Sequence, residues 1–163
     1  MTVEAIFGLQ FFLSIAGWGI LMAYIAAPRL RAIPLNEALF YLVAIHAFRH
    51  IGMVFQVPGV VETPLPEEFA FAASYGDLLT GITATVALVA LKKNWPFAIA
   101  IVWLVNIVGT VDLANALRQP EPIPSFGAAW FIPTYLVPLL LVTHFMMFQR
   151  LISEFRVRRT AVA

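Results

Sequence analysis

The amino-acid sequence predicts an all-α integral membrane protein, a bundle of five transmembrane helices with the N-terminus outside and the C-terminus cytoplasmic. Three observations carry that prediction. The chain of 163 residues is 61% hydrophobic and only 12% charged, whereas a typical soluble domain is about 25% charged. There are too few charges to coat a globule in water. Five apolar runs each reach the roughly 20 residues that a helix needs to cross about 30 Å of hydrocarbon. Basic residues gather at alternate breaks between those runs.

The runs fall at about residues 4–27, 35–60, 68–91, 95–118 and 127–151. The first begins "MTVEAIFGL", with an acid and no Lys or Arg. A cleavable signal peptide has a basic start and a shorter core, so the first helix is expected to be retained. The break "APRLRAIPLNE" after it carries Arg29, Arg31 and two prolines, and "VPGVVETPLPEE" carries three prolines and three glutamates. "KKNWP" is a tight charged turn, and "RQPEPIPSFG" holds three prolines and a glycine. Proline lacks the amide proton a helix interior needs, so these positions stop one helix and open the next.

Charge sets the direction. Arg29 and Arg31 lie in the first break, Lys92 and Lys93 in the third, and Arg150, Arg156, Arg158 and Arg159 at the C-terminus. The second break is acidic, with Glu62, Glu67 and Glu68. Five spans put every basic cluster on one side, the cytoplasmic one by the positive-inside rule. The expected location is a plasma membrane of the bacterial inner type. Residues 1–163 form one transmembrane domain, whose basic cytoplasmic tail at 152–163 is attracted to anionic lipid.

Several classes of function are excluded. A net charge of +1 gives no reason to expect a nucleic-acid partner. With no cysteine, disulfides, iron–sulfur clusters and thiolate metal sites are ruled out. Both lysines lie in the "KK" turn, so no span offers an amine for a retinal Schiff base.

What remains is a set of polar residues inside the spans. Ionisable groups at that depth are costly and mark functional sites or buried pairs. The stretch "LVAIHAFRHIGMVF" supplies His46, Arg49 and His50, spaced i, i+3 and i+4 and so on one face of a continuous helix. The third span adds Asp77 between Ser74 and Thr80. The fourth adds Asn106, Thr110, Asp112 and Asn115, and the fifth Tyr135 and His144. At about 1.5 Å per residue, Arg49, His50 and Asp77 share one level roughly ten residues from the outer helix ends, with Asp112 about a turn above.

Arg49 needs a carboxylate at that depth, and Asp77 is the first candidate with Asp112 the second. One arginine against two acids leaves a carboxylate over, which favours a protonatable or cation-binding group. His46 and His50 in an HxxxH pattern, with Asp77, form a candidate metal site to which Asp112 and His144 could add. That donor set suits zinc, iron, manganese or copper. A second use of the histidines is haem ligation, with His46 or His50 facing His144. Arg49, Asp77, Asp112 and Tyr135 are the candidate catalytic residues, Asp112 or Tyr135 handling protons. Ala70, Ser74, Asp77, Gly81 and Ala84 form a stripe that lets helices approach closely, and Gly8, Gly17 and Gly19 do likewise on the first span. Pro133 and Pro138 predict a kink in the fifth.

The leading expectation is a metal- or haem-dependent membrane enzyme or redox protein acting on a lipophilic substrate: a quinone, an isoprenoid or a lipid. The alternative is a homo-oligomeric proton or ion transporter or channel. A third reading is a structural subunit of a larger membrane complex. Membrane lipid is a partner under all three, and the first span, poorest in polar groups, is the expected lipid-facing or oligomer-contact element.

Overall fold

A computed structural model of the chain describes residues 1–62 and 65–162, with side chains as far as Arg156. Five helices are long and apolar enough to cross a membrane: α1 Val3–Arg31, α2 Leu35–Gln56, α3 Glu67–Lys92, α4 Ala98–Leu117 and α5 Gly127–Arg156. No strand occurs among the described residues. Of the predicted basic tail, the side chains of Arg158 and Arg159 lie outside the described residues.

Local chemistry explains the helix ends. Thr2 caps α1 by accepting the Ala5 amide at 3.3 Å, and Pro34 and Pro66 stand immediately before α2 and α3. Glu67 and Glu68 open α3 and Lys92 closes it, each favourable to the helix dipole. α1 and α5 both widen by one residue into π-helical turns, at Met22–Ala26 and Ile132–Leu136. Each widened turn ends two residues before a proline, Pro28 or Pro138, whose ring crowds the preceding turn and whose missing N–H frees a carbonyl. Side chains take up two of the carbonyls at these kinks. Arg29 Nη1 donates to Ile25 O at 2.6 Å, and Trp18 Nε1 donates to Tyr135 O at 3.2 Å.

α2 departs from the continuous helix that the sequence predicts. It is α-helical only through His46, turns at Ala47–Phe48, and continues as a 3-10 helix over Arg49–Gln56. A 3-10 helix has three residues per turn, so Arg49, Gly52 and Phe55 come to one face and are the residues this segment buries. That face lies on α3, whose small residues admit it. Ser74 Oγ donates to Gly52 O at 3.3 Å, and a Cβ on Gly81 would meet the His50 amide nitrogen at 3.2 Å.

The loop ends of the bundle differ in charge. At the basic end, Asn36 Nδ2 donates to Asn94 Oδ1 at 3.0 Å and ties the start of α2 to the third loop. At the acidic end, Ala128 N donates to Val60 O at 2.8 Å and Glu62 N to Ser125 O at 3.2 Å. Gly127, at φ 50°, permits that clasp, since a Cβ there would lie 2.6 Å from Val60 O. The basic half of the core is apolar and closed, with Leu39, Val43, Ala84, Val102, Val105 and Met147 all fully buried. The acidic end holds an aromatic cluster of Phe55, Phe69 and Phe126, ring centroids 5.8 to 5.9 Å apart. Polar residues occupy the level between the two. α1 lies outside this core against α5 and buries only Leu30.

Candidate functional site

Arg49 is the centre of the polar level, 2% exposed in a bundle whose neighbouring side chains are mostly hydrocarbon. An isolated guanidinium there would carry a desolvation cost of several kcal/mol, and every face of this one is met. Nε donates to Asp77 Oδ1 on α3 at 2.6 Å. Nη2 donates to Asp112 Oδ2 on α4. Nη1 donates to the Gly109 carbonyl at 3.1 Å and lies 3.5 Å from His144 Nε2 on α5. One side chain from α2 thereby joins the other three core helices. Two carboxylates against one guanidinium leave the trio at −1 when all are ionised, and a single proton balances it.

The histidines extend the network into the core. Arginine can only donate, so His144 faces it with the unprotonated Nε2 and donates from Nδ1 to Asn106 Oδ1, 2.6 Å away. Thr143 gives its hydroxyl proton to the Leu139 or Leu140 carbonyl, each at 3.0 Å. Its oxygen then accepts from His46 Nε2 at 3.0 Å. Two buried atoms of this network stay without a protein partner among the described residues: the acceptor His46 Nδ1 and the donor Asn106 Nδ2.

Glycines make room for these groups, and the sequence reading missed them. A Cβ on Gly52 or on Gly76 would collide with the carboxylate of Asp77 or of Asp112 respectively. One on Gly109 would lie 2.7 Å from both Arg49 Nη1 and His144 Nε2. A signal was available. Glycine inside a helix costs roughly 0.5–1 kcal/mol relative to alanine, and Gly76 directly precedes Asp77 while Gly109 lies one turn before Asp112.

The geometry places the residues of three expected constellations differently. His46, His50 and Asp77 do not converge on a metal position, because the turn at Ala47–Phe48 breaks the helical face they were expected to share. His50 is exposed and its Nδ1 lies 3.2 Å from Ala47 O. No group of three His, Cys, Asp or Glu among the described residues is arranged to hold a metal ion. Haem between His46 and His144 has no space, since the two ring centroids are 4.1 Å apart and the imidazoles touch; His50 is exposed. Tyr135 is not brought together with the other candidate catalytic residues. It is 55% exposed, and its ring packs on Trp18 of α1 at 5.3 Å, on the side of α5 away from Arg49.

Asp77 and Asp112 border a small cavity that extends toward the acidic end. It has about 100 Å³ of open space, and its walls include Phe7, Phe55, Phe69 and Phe126. An apolar protein cavity of about 150 Å³ holds benzene, so this one accommodates at most a single ring or a short head group. Its chemistry is that of an aromatic chamber with two hydrogen-bonding carboxyl groups at one side.

Fold and site together define the chain as an all-helical bundle with five helices of membrane-crossing length around a buried Arg–Asp–Asp–His cluster. It belongs to the family described as domain of unknown function DUF8737, whose model matches residues 6–152. That span includes all the cluster residues. No curated protein and no solved structure matches the chain.

Proposed function

We propose that this is a membrane-embedded protein that binds the polar head of a lipophilic molecule of the quinone, isoprenoid or lipid class, and that Asp77 and Asp112 exchange protons with that head. The observation that carries this reading is the aromatic cavity bordered by the two carboxyl groups. Four phenylalanines supply the apolar contact of a ring or an isoprene unit. A molecule whose head fills about 100 Å³ leaves its tail in the surrounding hydrocarbon. Arg49 holds one oxygen of each carboxylate, which fixes their orientation and keeps a negative charge tolerable beside the ligand.

In this reading the bundle sits in the plasma membrane of a bacterium with the acidic loops outside, so the cavity opens toward the outer leaflet. A proton or ion path has less support. The polar chain runs from the carboxylates through Arg49 and His144 to Asn106, with His46 beside it. Below them the basic half is closed by fully buried apolar side chains.

The test is direct binding of 2-decyl-1,4-benzoquinone, farnesol and a monoacylglycerol to detergent-purified protein. Ala73 lines the cavity one turn before Asp77, so Ala73→Phe places a ring in it, and a melting curve checks that the variant folds. Saturable binding of one of the three, weakened at least tenfold in Ala73→Phe and altered in Asp112→Asn, is the expected result. Binding that Ala73→Phe leaves intact, or none by a folded wild-type protein, refutes the proposal.

A further inference from the structure

Asp77 and Asp112 each commit one carboxyl oxygen to Arg49 and keep the other. Arg49 takes Asp77 Oδ1 and Asp112 Oδ2. The second oxygens, Asp77 Oδ2 and Asp112 Oδ1, take no hydrogen bond among the described residues. They rest against the bare backbones of Gly52 and Gly76. Both carboxyl side chains keep a small accessible fraction, 11% for Asp77 and 12% for Asp112, and both border the aromatic cavity. Each therefore brings one uncommitted oxygen to that chamber.

Two ionised groups would offer two acceptors and one surplus negative charge. The walls disfavour that state. Four phenylalanines line the chamber, and Gln119 is the one other polar side chain on its wall among the described residues. An unbalanced charge in such surroundings is costly, and one proton makes the Arg49–Asp77–Asp112 trio neutral. The two free oxygens then differ. One is the O–H of a carboxylic acid and donates, while the other belongs to a carboxylate and only accepts. A matching head must accept one hydrogen bond and donate one within about 100 Å³. A hydroxyl does both with a single oxygen, and its bond to the carboxylate is charge-assisted. A carbonyl only accepts, which leaves the carboxylate oxygen unmet. An alkylammonium only donates, which suits two ionised carboxylates and not the mixed pair.

We infer that the head held in this cavity is a hydroxyl group, and that the ligand is a lipophilic alcohol or phenol in preference to a ketone or quinone. A single ring bearing the hydroxyl is the best match to the four phenylalanines. The inference rests on the proposal that this cavity holds the head of a lipophilic molecule, and adds the chemistry of that head. It also gives the proton exchange a balanced form. The ligand O–H bond breaks as its proton passes to the carboxylate, and a new O–H bond forms with the proton of the carboxylic acid. The two aspartates exchange roles, and the trio stays neutral throughout.

Four probes with one tail length test it on the detergent-purified chain: 4-decylphenol, decylbenzene, 2-decyl-1,4-benzoquinone and decylammonium. The phenol is expected to bind about tenfold more tightly than decylbenzene or the quinone, the worth of one hydrogen bond left unmet. Its binding should weaken by about the same factor or more in Ala73→Phe, which crowds the cavity. Ala116→Leu, also on the wall, serves the same purpose if melting curves show that Ala73→Phe does not fold. A quinone that binds as tightly as the phenol, with the same loss in the variant, overturns the inference and leaves the proposed function standing. Tightest binding of decylammonium overturns it as well, since the trio would then be ionised and the head a cation. Equal binding of decylbenzene, or no binding of any probe by folded wild-type protein, overturns the inference and the proposed function together.

Discussion

Gly109 of α4 and Arg49 of α2 are in direct contact. The Gly109 carbonyl accepts from Nη1 at 3.1 Å, and a methyl group at residue 109 would lie 2.7 Å from the same nitrogen. The guanidinium reaches the centre of the bundle only because this position has no side chain. The same relation holds between Gly52 and Asp77, and between Gly76 and Asp112. Each charged group is seated against the bare backbone of another helix, which excludes competing atoms and sets how closely α2, α3 and α4 approach.

Alanine at these glycines should therefore destabilise, although alanine is the better helix former. Gly52→Ala, Gly76→Ala and Gly109→Ala are each expected to cost about 1–3 kcal/mol, the usual range for overpacking. Gly8→Ala and Gly17→Ala, where an added Cβ meets nothing within 4 Å, should be neutral or stabilising by up to about 1 kcal/mol. Denaturant unfolding in one detergent ranks all five. A loss in Gly17→Ala equal to that in Gly109→Ala would show the effect to be general.

The ion pairs predict an order among charge variants. Arg49→Met leaves two carboxylates without a counter-ion, and breaking a buried pair in this way costs about 3–5 kcal/mol. Asp77→Asn or Asp112→Asn keeps one full ion pair and a neutral acceptor, so each should cost less. The triple variant Arg49→Met, Asp77→Asn, Asp112→Asn should regain part of the loss, because it removes every uncompensated charge. Melting temperatures in detergent provide the comparison.

Two histidines of the same helix should behave in opposite ways. His46→Ala removes a fully buried ring from between α2 and α5, and a loss of about 1–3 kcal/mol is expected from the unpaired Thr143 oxygen and the void. His50→Ala changes an exposed side chain and should stay within about 0.5 kcal/mol. Chemical denaturation of the two single variants is sufficient. Equal losses would mean that α2 remains a continuous α-helix past His46.

The kink in α5 is braced from α1 by an indole. Trp18→Phe keeps the ring contact with Tyr135 and deletes the hydrogen bond to its carbonyl, at an expected cost of about 1 kcal/mol. Tyr135→Phe leaves that carbonyl in place and should be close to neutral in stability. Its ligand binding should also match wild type, since the hydroxyl lies away from the cavity. A binding defect in Tyr135→Phe would restore this residue to the site.

The sequence by itself was sufficient for the five helices, the polarity of the loops and a list of polar groups within the helices from which the buried ones come. These depend on local properties. Twenty apolar residues, a proline, or a lysine pair have the same meaning whatever they pack against. The Arg49–Asp77 contact was also within reach, because a buried charge requires its opposite and few were on offer. Which polar residues actually meet was decided only in three dimensions. His46 and His50 are four residues apart, but the turn at Ala47–Phe48 and the three-residue period after it send one to the core and the other to the surface. That break lies where α2 presses on α3 through Gly52 and Gly81, a contact between helices that no local pattern in either one specifies. Tyr135 was placed outside by the packing of α5 on Trp18, and His144 inside by the space at Gly109. Position along a helix is a property of the chain, whereas rotation about it is settled by the neighbour it must fit.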